Sequence, residues 1–176
     1  VKNGYATLCD SVFIGDFVFS SDYVIPVVKA SRGEFKKIIY PYDKNGKLIS
    51  EDKLKSDTAL YEYLSANKHL LLNRSSEKKD DTYWYAFGRS QAINDTYKDK
   101  IAINALLRTS ADLKIVNAPA GTGVYSGLYI TSDSIDISII KKYLSSVEFT
   151  TYISLLGKYK SGGYYTFSSK DIKAYL

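Results

Sequence analysis

One segment of the sequence joins an aromatic run to side chains that can bind nucleic-acid bases. The run Tyr83–Phe87 is followed by Gly88 and then by Arg89, Ser90 and Gln91. Arginine can bond to guanine O6 and N7 together, glutamine can pair with adenine N6 and N7, and serine can bond to bases or phosphates. We therefore predict that Arg89, Ser90 and Gln91 contact DNA from the end of an aromatic strand. A core strand whose arginine forms a salt bridge is the alternative.

A second segment places cations beside flexible backbone. Lys158, Lys160 and Ser161 precede the pair Gly162-Gly163, and glycine lets backbone approach a ligand closely. Two cations and a hydroxyl in such a turn suit phosphate contact, and an ordinary surface turn is the alternative. Weaker candidates for contact with the DNA backbone are Arg32, Arg74, Lys78 and Lys79.

A third arrangement could perform metal-dependent hydrolysis. Asp43, Glu51 and Lys53 loosely follow the spacing of metal-dependent nucleases, in which two acids hold a divalent cation and the lysine supports the attacking water. Those residues normally lie on a buried hairpin, but Glu51–Lys55 is polar apart from Leu54 and has no strand pattern. We favour a solvated loop, with a stand-alone nuclease as the alternative.

Other catalytic chemistries lack their residues. His69 is the single histidine and Cys9 the single cysteine, so the spacing of zinc ligands cannot be built. The triplet Gly121-Thr122-Gly123 lacks the lysine or further glycine of a nucleotide-binding loop, and we predict a turn there. We therefore predict no catalytic residue and no metal site in this chain.

The composition favours an intracellular domain. The 176 residues suit one domain, 1–176, and the net charge of +5 would attract phosphate if the cations share a face. The 17 tyrosines suit wet interfaces, although they are also typical of an AT-rich genome. One cysteine forms no internal disulfide, and no secretion signal or membrane helix is evident. We expect a cytoplasmic bacterial or archaeal protein that binds no membrane. Because it begins at Val1 and lacks methionine, we expect an excerpt of a longer chain.

Alternation of apolar residues predicts several strands. The segment Asp10–Val28 has short alternating runs interrupted by Gly15 and Pro26, which favours strands with tight connections. The step Asn45-Gly46 predicts a hairpin turn. The further predicted strands are Tyr83–Phe87, Lys100–Leu107, Leu113–Asn117, Val124–Ile130 and Tyr164–Phe167.

Capping residues and helical spacing predict three helices. Asp57 or Thr58 caps the first, Ser134 caps the second, and Ser168 with Asp171 forms a capping box at the third. Strands and helices are interspersed without strict alternation. An α+β fold with a mainly antiparallel sheet and several packed helices therefore fits best.

Several blocks of sequence follow one another in a recognisable order. They are Thr7–Ile14; Ile39–Asp43 with the turn at Gly46; Ala59–Leu64 with Asn67, Lys68, Leu71 and Arg74; Trp84-Tyr85 with Gly88–Gln91; Lys100-Ile101; and Ser161–Phe167. In their order and spacing, over nearly the whole chain, these blocks resemble the TaqI-like C-terminal specificity domain of adenine-N6 DNA methyltransferases.

The resemblance implies a division of labour between domains. In that family a separate N-terminal domain binds S-adenosylmethionine and grips the flipped adenine with an Asn-Pro-Pro-Tyr-type motif, while the specificity domain recognises the duplex sequence. This chain has no Pro-Pro pair and no Gly-rich cofactor loop, so no catalytic residue is carried over.

The expected partners are therefore double-stranded DNA and the methyltransferase domain of the same parent chain, in a restriction–modification system. The chain itself is expected to take no cofactor, and its parent to use S-adenosylmethionine, with or without a fused endonuclease. A Type I specificity subunit and a protein-interaction module remain as alternatives.

Overall fold

The computed structural model describes residues 1–74 and 81–176, which form an α+β fold. The helices are α1 (Asp10–Phe13), α2 (Glu51–Ser56), α3 (Thr58–Ala66), α4 (Lys68–Leu72), α5 (Ile137–Leu144), α6 (Val147–Leu155) and α7 (Ser169–Tyr175). The strands are β1 (Lys2–Asn3), β2 (Val24–Lys29), β3 (Glu34–Ile39), β4 (Lys100–Ile103), β5 (Leu106–Leu107), β6 (Ile115–Ala118), β7 (Gly123–Tyr125), β8 (Leu128–Ile130), β9 (Tyr159–Lys160) and β10 (Tyr164–Thr166). The predicted fold class is confirmed.

The strands are divided among three small sheets. Their orders are β1-β8-β4-β6, β5-β10-β9 and β3-β2-β7. Strands β2 and β7 pair in parallel, with Val27 opposite Gly123, and the other pairings of named strands are antiparallel. The predicted antiparallel preference therefore holds, although the strands do not form a single sheet.

One hydrophobic cluster, the first cluster, lies under β2 and β3. Strand β3 contributes Ile38, α1 contributes Phe13 and α3 contributes Leu60, and all three side chains are fully buried. Tyr40 and Phe87 complete the aromatic part of this cluster, with ring centroids 6.2 Å apart. Burying one such side chain contributes about 1.5–3 kcal/mol, so this cluster fixes the N-terminal half of the chain.

A second cluster joins β4 and β8 to the C-terminal helices. Ile101 of β4, Leu144 of α5, Phe149 and Ile153 of α6 and Ile172 of α7 are fully buried together. The small sheet β5-β10-β9 belongs to this half of the molecule, because Leu107 is buried in the same cluster.

Two of the three predicted helix starts are confirmed. The Asp57 carboxylate accepts the backbone NH of Leu60 at 3.2 Å, and Ser168 with Asp171 forms the predicted capping box. The second start is wrong by two residues, because Asp136 caps α5. The Ser132 hydroxyl accepts the backbone NH of Ile135 at 2.9 Å, which holds this stretch in a turn before the helix begins.

Polar side chains also end strands earlier than apolar alternation predicts. The predicted strand Lys100–Leu107 is divided at Asn104, whose amide donates to the carbonyls of Leu106 at 2.6 Å and Asp112 at 3.0 Å. In the segment Asp10–Val28, the first predicted strand is wrong because α1 occupies it. Two alternating apolar residues are too short a pattern to distinguish a strand from one helical turn.

The turn predicted at Asn45-Gly46 is confirmed. Gly46 has φ of +77°, which favours glycine, and the Asp43 carboxylate accepts the backbone NH groups of Asn45 and Lys47 at 2.8 and 2.9 Å. Across this turn one isolated bridge pairs Tyr42 with Leu48.

The longest described helices, α3 and α6, have nine residues each. Within residues 1–74 and 81–176, no helix has both the length and the apolar character needed to cross a bilayer.

Candidate nucleic-acid interface

The aromatic strand predicted at Tyr83–Phe87 is wrong. A short 3-10 helix, Asp81–Tyr83, is followed by turns. The four consecutive residues Trp84–Phe87, which include three aromatic rings, are all at most 2% exposed. A strand would point neighbouring side chains to opposite faces. Here the neighbouring rings are all buried, so the backbone forms turns instead of an extended strand.

Arg74 is the residue around which this aromatic segment folds. Its guanidinium donates to the carbonyl of Thr7 at 2.9 Å, to that of Trp84 at 3.3 Å and also to that of Ala86. The residue is 7% exposed and lies over the Phe13 ring at 5.7 Å. Burial lowers the pKa of this guanidinium from its usual value. Because its charge satisfies interior carbonyls, we leave Arg74 out of the candidate interface.

The predicted base contacts Arg89, Ser90 and Gln91 follow the aromatic segment. The backbone NH of Arg89 donates to the Ala6 carbonyl at 3.1 Å, so the start of this loop is fixed against the N-terminal segment. Arg89 and Ser90 are exposed. The Gln91 amide nitrogen donates to the Gly4 carbonyl. The predicted pair of hydrogen bonds from Gln91 to adenine N6 and N7 would require the same nitrogen as a donor.

The phosphate contacts predicted at Lys158, Lys160 and Ser161 lie together on the small sheet β5-β10-β9. Tyr164 of β10 is opposite Lys160 of β9, and Tyr165 is opposite Leu107 of β5. Since residues directly opposite one another share a face of a sheet, each row of three residues faces one way.

The two faces of this sheet differ in their packing. In the row Leu107, Tyr165 and Tyr159, Leu107 is buried and Tyr165 packs against the second cluster, while Tyr159 is 68% exposed. Tyr164 is opposite Lys160, and Arg108, the residue just after the end of β5, would be opposite Tyr164 if the register of β5 continued. Arg108 and Lys160 are exposed. The guanidinium carbon of Arg108 lies 4.9 Å from the centre of the Tyr164 ring. We call the surface formed by Arg108, Tyr164, Lys160 and the turn Ser161–Gly163 the outer face.

The turn that joins β9 to β10 presents backbone as well as side chains. Gly162 and Gly163 both have φ of +76°, a conformation that residues with a Cβ rarely adopt. Ser161, Gly162 and Gly163 are exposed, and a Cβ added at Gly163 would meet no atom within 4 Å. The open side of the turn can therefore admit an anion close to its backbone, next to Lys160.

Lys158 is held by an acid of the following helix. Its ammonium donates to the Asp171 carboxylate at 2.6 Å. The bond from Lys158, with those from Ser168, outweighs burial and holds the pKa of Asp171 below its usual value. Lys158 therefore anchors the base of the turn, and Lys160 is the lysine whose charge faces solvent there.

Arg108 is a residue of this surface that was not predicted from the sequence. The sequence predicts strands at Lys100–Leu107 and at Tyr164–Phe167 but carries no signal for their pairing. The alternation of buried Leu107 with the cation after it predicts only that Arg108 faces outward. Its position over Tyr164 depends on the register of β5 against β10.

Those of the remaining candidates that the structure describes do not join the outer face. Arg32 is exposed in the turn between β2 and β3, which belongs to another sheet. Lys78 and Lys79 lie outside the described residues. The loop that carries Arg89 is fixed to the N-terminal segment beside the first cluster. The structure thus brings together Lys158, Lys160 and Ser161.

The residues of the alternative nuclease do not form a buried hairpin. The Asp43 carboxylate is engaged by the backbone of its own turn. Glu51 and Lys53 lie in the exposed helix α2, where Glu51 pairs with Lys55 at 3.6 Å. Over the described ranges, no group of three histidine, cysteine, aspartate or glutamate residues is placed to hold a metal ion.

A buried polar network beside β4 serves the interior. The Lys100 ammonium donates to the carbonyls of Thr96, Lys98 and Thr122 at 2.7–3.0 Å, and burial lowers the pKa of Lys100 to about 8. Asp95 accepts bonds from Lys2 at 2.6 Å and from Tyr129 at 2.7 Å. Because each charged group has partners within the described part of the chain, this network stabilises the fold.

No protein-family model matches this chain, and no curated protein matches it significantly. The resemblance to TaqI-like specificity domains therefore stays a prediction.

Proposed function

We propose that this chain is a double-stranded-DNA recognition domain and that the outer face contacts the duplex. The main observation in support is the row Arg108, Tyr164 and Lys160 beside the turn Ser161–Gly163. It combines two exposed cations, an aromatic ring and approachable backbone within three neighbouring strands. Phosphates are bound by such cations, hydroxyls and backbone NH groups, and the net charge of +5 favours association with a polyanion.

The exposed turn of the small sheet supports duplex DNA as the ligand. Strands β9 and β10 are antiparallel and are joined by this turn, and β10 also pairs with β5. The major groove of B-DNA is about 12 Å wide and admits a two-stranded ribbon, so the turn end of the sheet would enter the groove. Lys160 and Ser161 would then lie beside the phosphates of one strand.

The wider role that we propose comes from the sequence resemblance. Such a domain would serve a site-specific adenine-N6 methyltransferase of a restriction–modification system in the cytoplasm. The methyltransferase domain of the parent chain would supply S-adenosylmethionine and the chemistry, and this chain would supply the choice of DNA site.

The salt dependence of DNA binding tests the proposed function. We expect the affinity for short duplexes, measured by fluorescence anisotropy, to fall as salt rises. If about four phosphates are neutralised, log K should change with log salt at a slope of about −3.6. Lys160→Glu should weaken binding and flatten the slope. The matched control is Lys36→Glu, which makes the same charge change at an exposed position of β3 in another sheet.

The control decides between a site and a general charge effect. Equal weakening by both substitutions would assign the binding to net charge alone, and affinity that ignores salt would contradict the proposal.

An exposed apolar surface favours a second candidate function, a protein-interaction module. Large apolar side chains are exposed around α5 and the C-terminus, and patches of this kind often mark contacts with other proteins. They are Ile135, Ile139, Tyr143, Val147 and Leu176. If this were the main function, the chain would associate with protein at salt concentrations that abolish DNA binding, and Lys160→Glu would leave that association unchanged.

A further inference from the structure

Arg108 is held in place on both sides by backbone contacts. Before it, Leu107 pairs with Tyr165 in the small sheet. After it, the Asp112 carboxylate accepts the backbone NH groups of Arg108 at 2.8 Å and Thr109 at 2.9 Å. Bonds from these NH groups lower the pKa of the Asp112 carboxyl, so this carboxylate stays ionised at neutral pH. The backbone under Arg108 is thus fixed although the side chain is exposed.

The Tyr164 ring fixes the guanidinium itself. At 4.9 Å from the ring centre, the group lies within the range of a cation–π contact. A guanidinium carries its NH donors in its own plane, so contact with a ring through one face leaves its edge free for hydrogen bonds. The Asp112 carboxylate also attracts this charge, but in the part of the chain that the structure describes the guanidinium forms no hydrogen bond or ion pair. Arg108 therefore presents an unoccupied donor pair from the outer face.

Lys160, on the other side of Tyr164, differs from Arg108 in chemistry. An ammonium is a point charge on a flexible stem and suits phosphate, whereas a fixed guanidinium matches two acceptors in one plane. In the major groove, guanine presents such a pair in O6 and N7. The row across the sheet thus holds one group suited to positioning the duplex and one suited to choosing a base.

We propose that Arg108 is a specificity-determining residue that recognises one guanine of the target site in the major groove, positioned by Tyr164 and by the Asp112 carboxylate. This inference rests on the proposed DNA-binding function of the outer face. It assigns base recognition to a residue outside the segment Arg89–Gln91, where the sequence predicts it.

The experiment is selection of duplexes from a pool with a randomised central segment, at low salt, followed by sequencing. For the wild-type chain we expect an enriched motif with at least one fixed guanine. Arg108→Ala should enrich the same motif with one guanine position relaxed. On the wild-type motif its affinity should fall by about 5- to 150-fold. Replacing that guanine by 7-deazaguanine, which lacks only the N7 acceptor, should weaken the wild type and leave Arg108→Ala unchanged.

Three variants separate base recognition from charge and from structure. Arg108→Lys keeps the charge but lacks the paired donors, so the guanine position should stay relaxed. Tyr164→Phe keeps the ring and should behave as wild type, while Tyr164→Leu should relax the same position. Lys160→Ala should weaken binding to all duplexes with every position of the motif retained.

The outcomes distinguish the two proposals. If the wild-type chain enriches no motif, the proposed function fails and the inference falls with it. If it enriches a motif that Arg108→Ala retains in full, and Arg108→Lys restores affinity, Arg108 contacts phosphate. The inference is then wrong while the DNA-binding function stands.

Discussion

The aromatic segment 84–87 and the outer face both pair an arginine with aromatic rings, yet they use the pair in opposite ways. In the aromatic segment, Arg74 lies inside, and its guanidinium satisfies carbonyls of three residues. On the outer face, Arg108 lies over Tyr164 and its donors face solvent. The difference lies in the backbone around each arginine. Arg74 lies next to buried carbonyls that need a donor and becomes part of the interior, whereas Arg108 lies on an exposed surface and keeps its donors free.

Removing each arginine tests this comparison most strongly. We expect Arg74→Ala to lower the free energy of unfolding by about 3 kcal/mol, since it leaves buried carbonyls unsatisfied and opens a cavity. Arg108→Ala should cost less than about 1 kcal/mol, the range of an exposed cation–π contact. Urea denaturation followed by circular dichroism measures both. Similar losses for the two variants would remove the distinction between an interior and an exterior arginine.

The pair Lys158 and Asp171 sharpens the comparison, because the exposed Lys158 is held by a carboxylate of the chain itself. The pKa of Asp171 is lowered in the folded chain below its usual 3.8. A lowered pKa contributes stability that is present above pH 3.8 and is lost as the pH falls through the folded value.

We therefore expect Asp171→Asn to lower stability at neutral pH by about 1 kcal/mol, the scale of a lost helix cap. The wild type and the variant should converge in acid, which urea titrations at several pH values would show. A constant difference between them down to acid pH would mean that the carboxylate charge contributes nothing. Asp136→Asn is a suitable control, since that carboxyl also has a lowered pKa and caps α5, and among the described residues it forms no ion pair with a lysine.

The sequence predicted local features better than pairings. The capping box at Ser168, the cap at Asp57 and the glycine turn after Lys160 are confirmed because each depends on residues adjacent in the chain. The aromatic strand failed because its neighbouring rings are all buried, an outcome that depends on Arg74, ten residues before Trp84.

The candidate site shows the same limit. Lys158, Lys160 and Ser161 form one local turn, so the sequence could place them together. Arg108 reaches the outer face through the pairing of β5 with β10, more than fifty residues apart in the chain. Apolar alternation predicts which side chains share a face but carries no information about the partner strand.

The most direct test of the account is to map the DNA contact surface residue by residue. Amide chemical shifts of the isotopically labelled chain would be followed during titration with a short duplex at low salt. We predict that the largest changes fall on residues 106–109 and 158–166, and that Lys160→Glu abolishes them while Lys36→Glu does not. Changes confined to residues 88–91, or to the apolar surface around α5, would contradict the claim that the outer face contacts DNA.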